Sequence, residues 1–314
     1  MLETKTELYF IVNPRAGSGK TMSKWVPAEK ELDRLGIRYV TEFTDHKRHA
    51  TSLAYEAADK GYRKIIAVGG DGSLHETFSG IIKWCDENSG NPEEFHLGVV
   101  PIGSGNDWIK SFDIPNDSEE AVNLIVKDSY TRMDIVRVKS ADGKTYCLAN
   151  CGGVGFDSHV CKRVNFLKER GFRSKLIYLN ALRHTALHLN TIEVKVIADG
   201  KEVHSGPVYS IAIGNGKYSG SGMRQVPLAE INDGMIDVMI VPKIPLTTVF
   251  RQIPRLFNGT LTESREVKFA RCRNLEIVPM NSAAADFLEL DGEVEGRLPV
   301  SIYVEDGFIN ALKA

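Results

Sequence analysis

The run Ile65-Ile66-Ala67-Val68-Gly69-Gly70-Asp71-Gly72-Ser73-Leu74-His75-Glu76 joins a short apolar strand to a glycine-rich turn and then to a helix. Glycines on both sides of Asp71 bare backbone N–H groups at the carboxyl end of a strand, where a helix N-terminus also points, and that geometry suits a phosphate. The acid adds a second requirement. A carboxylate beside bound phosphates is repelled unless a cation bridges them, so Asp71 points to a magnesium-dependent phosphate site.

The strand-then-helix rhythm extends outward from this run. Leu8 to Asn13 reads as a strand, Ser23 to Leu35 as a helix ended by Gly36, Ile37 to Thr44 as a strand and His49 to Lys60 as a helix ended by Gly61. Lys64 to Val68, a helix from Ser73 to Trp84 and the strand Leu97 to Pro101 continue the series. Such alternation predicts a parallel sheet wrapped by helices, with ligands at the carboxyl ends of its strands.

After about Tyr130 the texture changes to short alternating strands with turn signals: Met133 to Lys139, Tyr146 to Cys151, Ile192 to Ala198, Pro207 to Ile213, Val238 to Val241, Leu275 to Val278 and Phe287 to Leu290. The prediction is an α/β N-terminal domain over residues 1–130 and a mostly antiparallel β-sandwich over 131–301. The last segment, 302–314, is open between the two. Pro242-Lys243-Ile244-Pro245 and Phe257-Asn258-Gly259-Thr260 bracket a short helix that reads as an ordinary connection.

Cys161 to Leu189 interrupts the β texture with a helical pattern. It carries Lys162, Arg163, Lys168, Arg170, Arg173, Lys175 and Arg183 against Glu169, interleaved with Phe166, Leu167, Phe172 and Leu176. A basic amphipathic segment of this kind suits an anionic membrane surface. A solvated helix face packed on a sheet gives the same pattern, and charge runs favour that second reading.

Bulk properties bound the partners. A chain of 314 residues is long enough for two domains, and a net charge of −2 supplies no global basic field of the kind that marks nucleic-acid binders. Five cysteines with no Cys-x-x-Cys pair argue for reduced thiols rather than a disulfide framework or a zinc site. No apolar run approaches the roughly 20 residues that span a bilayer. The expected location is cytoplasmic, with at most peripheral membrane association; a homodimer is compatible with the sequence, which does not set the oligomeric state.

Two further glycine loops follow strands. Asn13-Pro14-Arg15-Ala16-Gly17-Ser18-Gly19-Lys20-Thr21 resembles a P-loop, but the glycine required five residues before Gly19 is Pro14, which has no N–H to give. Pro101-Ile102-Gly103-Ser104-Gly105-Asn106-Asp107-Trp108 follows a dinucleotide fingerprint until Trp108 takes the last glycine position. Asn106 and Asp107 are expected to hold this loop by capping the next helix. Each loop alone is a tight turn; at one edge of one sheet, all three converge on a single crevice.

Taken with Asn232-Asp233-Gly234-Met235 and Leu290-Asp291-Gly292-Glu293, these motifs resemble, in order and over nearly the whole chain, the diacylglycerol kinase catalytic family of lipid kinases, which is related in fold to NAD kinases. The resemblance implies that Asn13, Pro14, Arg15, Ala16, Gly17, Thr44, Gly70, Asp71, Gly72, Ser73, Leu74, His75, Glu76 and Ser104 hold ATP. It implies a magnesium ligand at Asp233, helped by backbone carbonyls at Glu230 and Met235, a general base at Glu293 and a catalytic role for Asp71 supported by Asp134. Ser73 and Ser104 stand where the family has threonine, and both keep the hydroxyl. Leu74-His75-Glu76 is similar to sphingoid-base kinases, whereas Asn106-Asp107-Trp108 leans to the bacterial diacylglycerol kinase-like branch.

The expectation is an ATP- and magnesium-dependent lipid kinase, its active site in the cleft between the domains, acting on a lipid alcohol such as diacylglycerol at a peripheral membrane surface. The rivals are a sphingoid-base or other lipid-alcohol kinase, a kinase of the NAD-kinase type, which shares the Gly-Gly-Asp-Gly turn, and a catalytically silent nucleotide- or lipid-binding regulator. Asp71, Asp233 and Glu293 together speak against the silent regulator.

Overall fold

The structure, a computed structural model, describes residues 5–103, 105–170, 172, 176–188, 190–281 and 286–314. The chain forms two compact units, one of residues 1–135 with 306–314 and the other of residues 136–305.

The first unit is built from β1 (Lys5–Val12), α1 (Ala16–Gly19), α2 (Thr21–Arg34), β2 (Tyr39–Phe43), α3 (His49–Asp59), β3 (Tyr62–Gly69), α4 (Asp71–Asn88), β4 (His96–Pro101) and α5 (Ser118–Val126). Its strands pair parallel in the order β2-β1-β3-β4. Ile65, Ile66, Ala67 and Val68 are fully buried, which is why β3 reads as an unbroken apolar run rather than an alternation. Helices cover the sheet: Trp25 and Leu32 of α2 and Phe78, Ile81 and Ile82 of α4 are at most 1% exposed. Because β2 lies on one side of β1 and β3 on the other, the strand order reverses between β1 and β3. In sheets of this kind, ligands bind outside the carboxyl ends of the strands at such a reversal. The first two glycine loops leave the sheet there.

The second unit begins within β5 (Tyr130–Ser140) and continues through β6 (Thr145–Leu148), β7 (Cys151–Gly155), α6 (Phe156–Glu169), α7 (Leu176–Leu187), β8 (Ile192–Ala198), β9 (Lys201–Gly214), β10 (Ile236–Pro242) and α8 (Leu246–Asn258). It ends with β11 (Lys268–Cys272), β12 (Asn274–Pro279), β13 (Phe287–Leu290), β14 (Glu293–Arg297) and β15 (Val300–Leu312), the last of which passes into the first unit at Asp306. The pairings inside this unit are antiparallel in the order β14-β13-β7-β9-β8-β12-β15, with β10 on β9 and β11 on β10. One apolar core runs through it, including Val136, Leu148, Val154, Val196, Ile211, Val238, Ile240, Leu275, Leu288 and Ile302.

The boundaries differ from the sequence reading in instructive places. Tyr146 to Cys151 is not one strand but two, β6 and β7, because the N–H groups of Ala149 and Asn150 leave the ladder to bond Asp291. The helical pattern from Cys161 starts earlier, at Phe156, and falls into two helices. Arg173, Lys175 and Leu189 of that segment lie outside the described residues. α5, β11 and β14 are additions to the elements expected from the sequence. No helix among the described residues is long and apolar enough to cross a membrane.

Candidate functional site

The three glycine loops meet at the β1/β3 reversal. At the end of β1, the Asn13 N–H donates to the Val68 carbonyl at 3.0 Å, and the Asn13 side-chain amide donates to Ser73 Oγ at 3.2 Å, tying the first loop to the second. The third loop is tied to the same turn by the N–H groups of Ile102 and Gly103, which donate to the Gly69 carbonyl at 2.7 and 3.1 Å. Gly70 and Gly103 touch with no room for a side chain: a Cβ on Gly103 would stand 2.5 Å from the Gly70 Cα. Gly17 fills the same need, since its φ of +54° is left-handed and a Cβ there would stand 2.5 Å from the Ile102 carbonyl oxygen.

α4 starts at this junction without a side-chain cap, its N-cap being Gly70. The Ser73 N–H donates to the Gly70 carbonyl at 3.0 Å, and the N–H groups ahead of it point out of the helix with the positive end of its dipole, as an anion site requires. Asp71 is the first residue of that helix, and its Oδ1 accepts the Trp108 N–H at 3.0 Å. That bond fixes the carboxylate against the third loop. Asn106 holds the loop from within, donating to the Gly103 carbonyl at 3.0 Å and to Asn116 Oδ1 at 2.7 Å. Contrary to the sequence expectation, the Asp107 side chain does not cap the following turn; it pairs with Lys110 at 2.5 Å.

The other nucleotide candidates occupy several environments. The Arg15 and Ala16 N–H groups are taken by Asn13, so the Pro14 loop folds on itself. Thr44 is buried at the end of β2, where its N–H donates to the Val12 carbonyl at 2.9 Å. Leu74 and His75 are buried. Glu76 accepts the N–H groups of Arg48 at 3.0 Å and Ala50 at 3.2 Å, capping α3. Ser104 lies outside the described residues. Asp134 is buried on β5.

In the second unit, Asn232-Asp233-Gly234 is a turn into β10. Asp233 Oδ1 accepts the Met235 N–H at 3.0 Å, and Gly234 takes a φ of +72°. The Oδ2 atoms of Asp233 and Asp237 are buried without a well-formed hydrogen bond and face Arg271, which pairs with Asp233 and stands 3.4 Å from Asp237. Burial, then the charge of Glu230, pushes the Asp237 carboxyl up to about 6. The nearby guanidinium does not reverse this, because Arg271 is itself 43% exposed and screened by water. Carboxylate oxygens are donors that suit a hard divalent cation, but here the Arg271 guanidinium faces both carboxylates.

The Leu290-Asp291-Gly292-Glu293 motif forms the hairpin between β13 and β14, with left-handed Asp291 (φ +51°) and Gly292 (φ +89°). Asp291 anchors it, accepting N–H groups from Ala149 and Asn150 at 2.8 Å and from Cys151 at 3.2 Å. Its place in the motif is thus structural, and Glu293 follows as the first residue of β14. From α6, Cys161 Sγ leans on the turn, 2.9 Å from the Gly292 carbonyl oxygen.

Two acids absent from the sequence reading lie beside this hairpin. Glu289 Oε1 accepts the Gly292 N–H at 2.5 Å, and Asp157 bonds Ser210 and accepts from Gln225 at 2.7 Å. Burial is the leading influence on both and pushes both carboxyls up, Glu289 furthest. Both side chains keep some solvent contact, so the shift reflects depth within the unit rather than complete enclosure. Glu289 alternates with Leu288 and Leu290, whose burial could have signalled an inward acid only if the sheet's second face were known to be covered.

A pH test follows from Glu289. Folding raises its carboxyl above the ordinary glutamate value of about 4.3, so between that value and the raised one the folded chain holds a proton that the unfolded chain has lost. Stability from this group is full at low pH and is lost as pH rises through that window. Glu289→Gln is expected to flatten the fall in urea midpoint as pH rises above the ordinary glutamate value of about 4.3. An unchanged slope in the variant would remove Glu289 from the account.

Comparisons with known proteins identify the family. The family model described as diacylglycerol kinase catalytic domain matches residues 7–138, and that of the YegS C-terminal NAD kinase beta sandwich-like domain matches residues 152–313. The chain is 25% identical over 268 residues to the diacylglycerol kinase of Mycobacterium tuberculosis (strain ATCC 25618 / H37Rv), covering 85% of this chain and 83% of that protein. It is 29% identical over 266 residues to the "Probable lipid kinase YegS-like" of Pectobacterium atrosepticum, covering 82% and 79%. A crystal structure of a diacylglycerol kinase from Bacillus anthracis has the same fold, with a TM-score of 0.72 at 20% identity over 99% of this chain and 98% of that one. With both of its halves matched by these models, the chain belongs to the diacylglycerol kinase catalytic family and is a lipid kinase.

Proposed function

We propose that this lipid kinase transfers the γ-phosphoryl group of ATP to the hydroxyl of diacylglycerol or a closely related lipid alcohol. The observation that carries the reading is the uncapped N-terminus of α4, enclosed by three loops at a strand-order reversal and bearing Asp71 in its first turn. A nucleotide's phosphates fit the N–H groups there, and the carboxylate among them calls for a cation.

In the proposed reaction the substrate hydroxyl oxygen bonds to the γ-phosphorus as the bond to the β–γ bridging oxygen breaks, ADP leaves, and Glu293 takes the hydroxyl proton. Asp71 would hold the cation at the phosphates. Asp233, with the backbone carbonyls of Glu230 and Met235, would hold magnesium. Bound magnesium supplies neutralisation of the phosphate charge. The paired donors of the first loop leave Asn13 positioning Ser73, rather than a P-loop nest, as that loop's contribution.

Incubation with labelled ATP and magnesium decides the substrate. Label is expected in diacylglycerol, as its phosphomonoester, in preference to phosphatidylglycerol, sphingoid bases, ceramide and NAD, and chelation of divalent cations is expected to abolish it. Label confined to NAD or to a sphingoid base would overturn the assignment of diacylglycerol.

A further inference from the structure

The sheet of the first unit ends at β2, which pairs with β1 and, among the described residues, with no strand on its other side. The Arg38 carbonyl accepts the Leu8 N–H at 3.2 Å and the Thr44 N–H donates to the Val12 carbonyl at 2.9 Å, so the even-numbered residues along β2 turn their backbone to β1. Tyr39, Thr41 and Phe43 turn theirs outward. An open row of this kind is a template for another strand, and proteins that keep such an edge free blunt it with lysine, proline or a bulge. The run Tyr39-Val40-Thr41-Glu42-Phe43 has no lysine and no proline, and its register with β1 is unbroken. Apolar surface marks the same edge. α2 lies over β1 and β2, with Thr21 Oγ1 donating to the Asn13 carbonyl at 2.8 Å near one end and Asp33 accepting the Tyr39 hydroxyl at 2.8 Å near the other. At the first of these ends Phe43, Met22 and Val26 are 45%, 41% and 38% exposed.

Register and charge select the occupant. When β2 meets a second β2 antiparallel about a twofold axis at Val40, Tyr39 and Thr41 of one copy form hydrogen-bonded pairs with Thr41 and Tyr39 of the other, as their outward backbone requires. Val40 then faces Val40 across the axis, Phe43 faces the half-buried Ile37, and Arg38 faces Glu42 on both sides of the axis. Opposite charges and apolar side chains set against each other are the pairs that stabilise adjoining strands. Both charges are within reach of a second copy: Glu42 is exposed, and the Arg38 side chain, 77% exposed, stands in a loose approach of 3.9 Å to Glu7. Moving the axis by one residue either way keeps the backbone pairing but takes Arg38 away from Glu42. We propose that two copies of this chain associate through β2, joining their parallel sheets across a twofold axis at Val40.

Sedimentation of the full chain across about 1–100 μM tests it, and the native chain is expected to form a dimer. Thr41→Pro removes an outward N–H that β1 does not use, so the variant is expected to keep its fold by thermal midpoint and to stay monomeric. Arg38→Glu or Glu42→Arg alone sets like charges opposite each other twice in the dimer and is expected to weaken it at least about tenfold, whereas the double exchange is expected to restore native association. Val40→Cys reads the register directly. A pair of this kind, not hydrogen-bonded, brings its Cα atoms to about 4.5 Å, so diamide is expected to link the variant into a disulfide dimer. Glu42→Cys, which meets Arg38, is expected to link no more than the native chain does. Where Thr41→Pro fails to fold, the charge exchanges and the crosslink decide. A native chain that stays monomeric throughout, a dimer that survives in folded Thr41→Pro or is untouched by the single charge exchanges, a double exchange that restores nothing, or crosslinking by Glu42→Cys equal to that by Val40→Cys would overturn the proposal.

Discussion

Glu293→Gln is expected to lower turnover of diacylglycerol by about 10²–10⁴-fold, the usual worth of a positioned general base, with little change in KM or in thermal midpoint. The substitution keeps the side chain's size and one oxygen acceptor but cannot take a proton. The scaffold around it should survive, because the groups that hold the hairpin are elsewhere: Asp291 accepts three backbone N–H groups, and Glu289 accepts that of Gly292. Activity and folding are therefore separable at this position. Steady-state kinetics of the variant beside its urea transition make the check, and retention of more than about a tenth of native turnover would take the base role away from Glu293.

What can be read from the chain in advance is what local chemistry dictates. The unbroken run Ile65 to Val68, the left-handed stops at Gly36 and Gly61 and the glycine turns at strand ends are set by neighbours in sequence, and the structure has each of them. Features set by distant partners are not legible. The break between β6 and β7 depends on Asp291, about 140 residues away. The polar strands β11 and β14 take their form from pairing with β10 and β13 rather than from an apolar pattern of their own. For α8 the period is visible in sequence, but the side facing solvent is not, and so a helix with an exposed apolar stripe reads as a connection. At the site the same division holds. Asp71 stands out because glycines surround it, whereas Asp157 and Glu289 become conspicuous only once burial raises their affinity for a proton.

Asp71→Asn separates the bond to Trp108 from the proposed role on a cation. The amide oxygen can still accept the Trp108 N–H, so the junction of α4 with the third loop is expected to persist and the fold with it. The negative charge is gone, and with it the proposed hold on a cation at the phosphates. ATP without divalent cation should bind the variant more tightly, by roughly fivefold, the equivalent of about 1 kcal/mol for removing one like charge at 4 Å in water. Turnover should nevertheless fall by about 10²–10³-fold, the scale seen when one preorganised electrostatic contact to a transition state is lost. Asp71→Ala would lose the charge and the Trp108 bond together, so its cost in stability measures the scaffold share alone once the asparagine variant is subtracted. Calorimetric titration of ATP with and without magnesium, beside turnover across a magnesium series, reads both effects. Tighter metal-independent binding with lost turnover is the signature of a charge placed for phosphoryl transfer; near-native turnover in Asp71→Asn would reduce Asp71 to a structural acceptor at the head of α4.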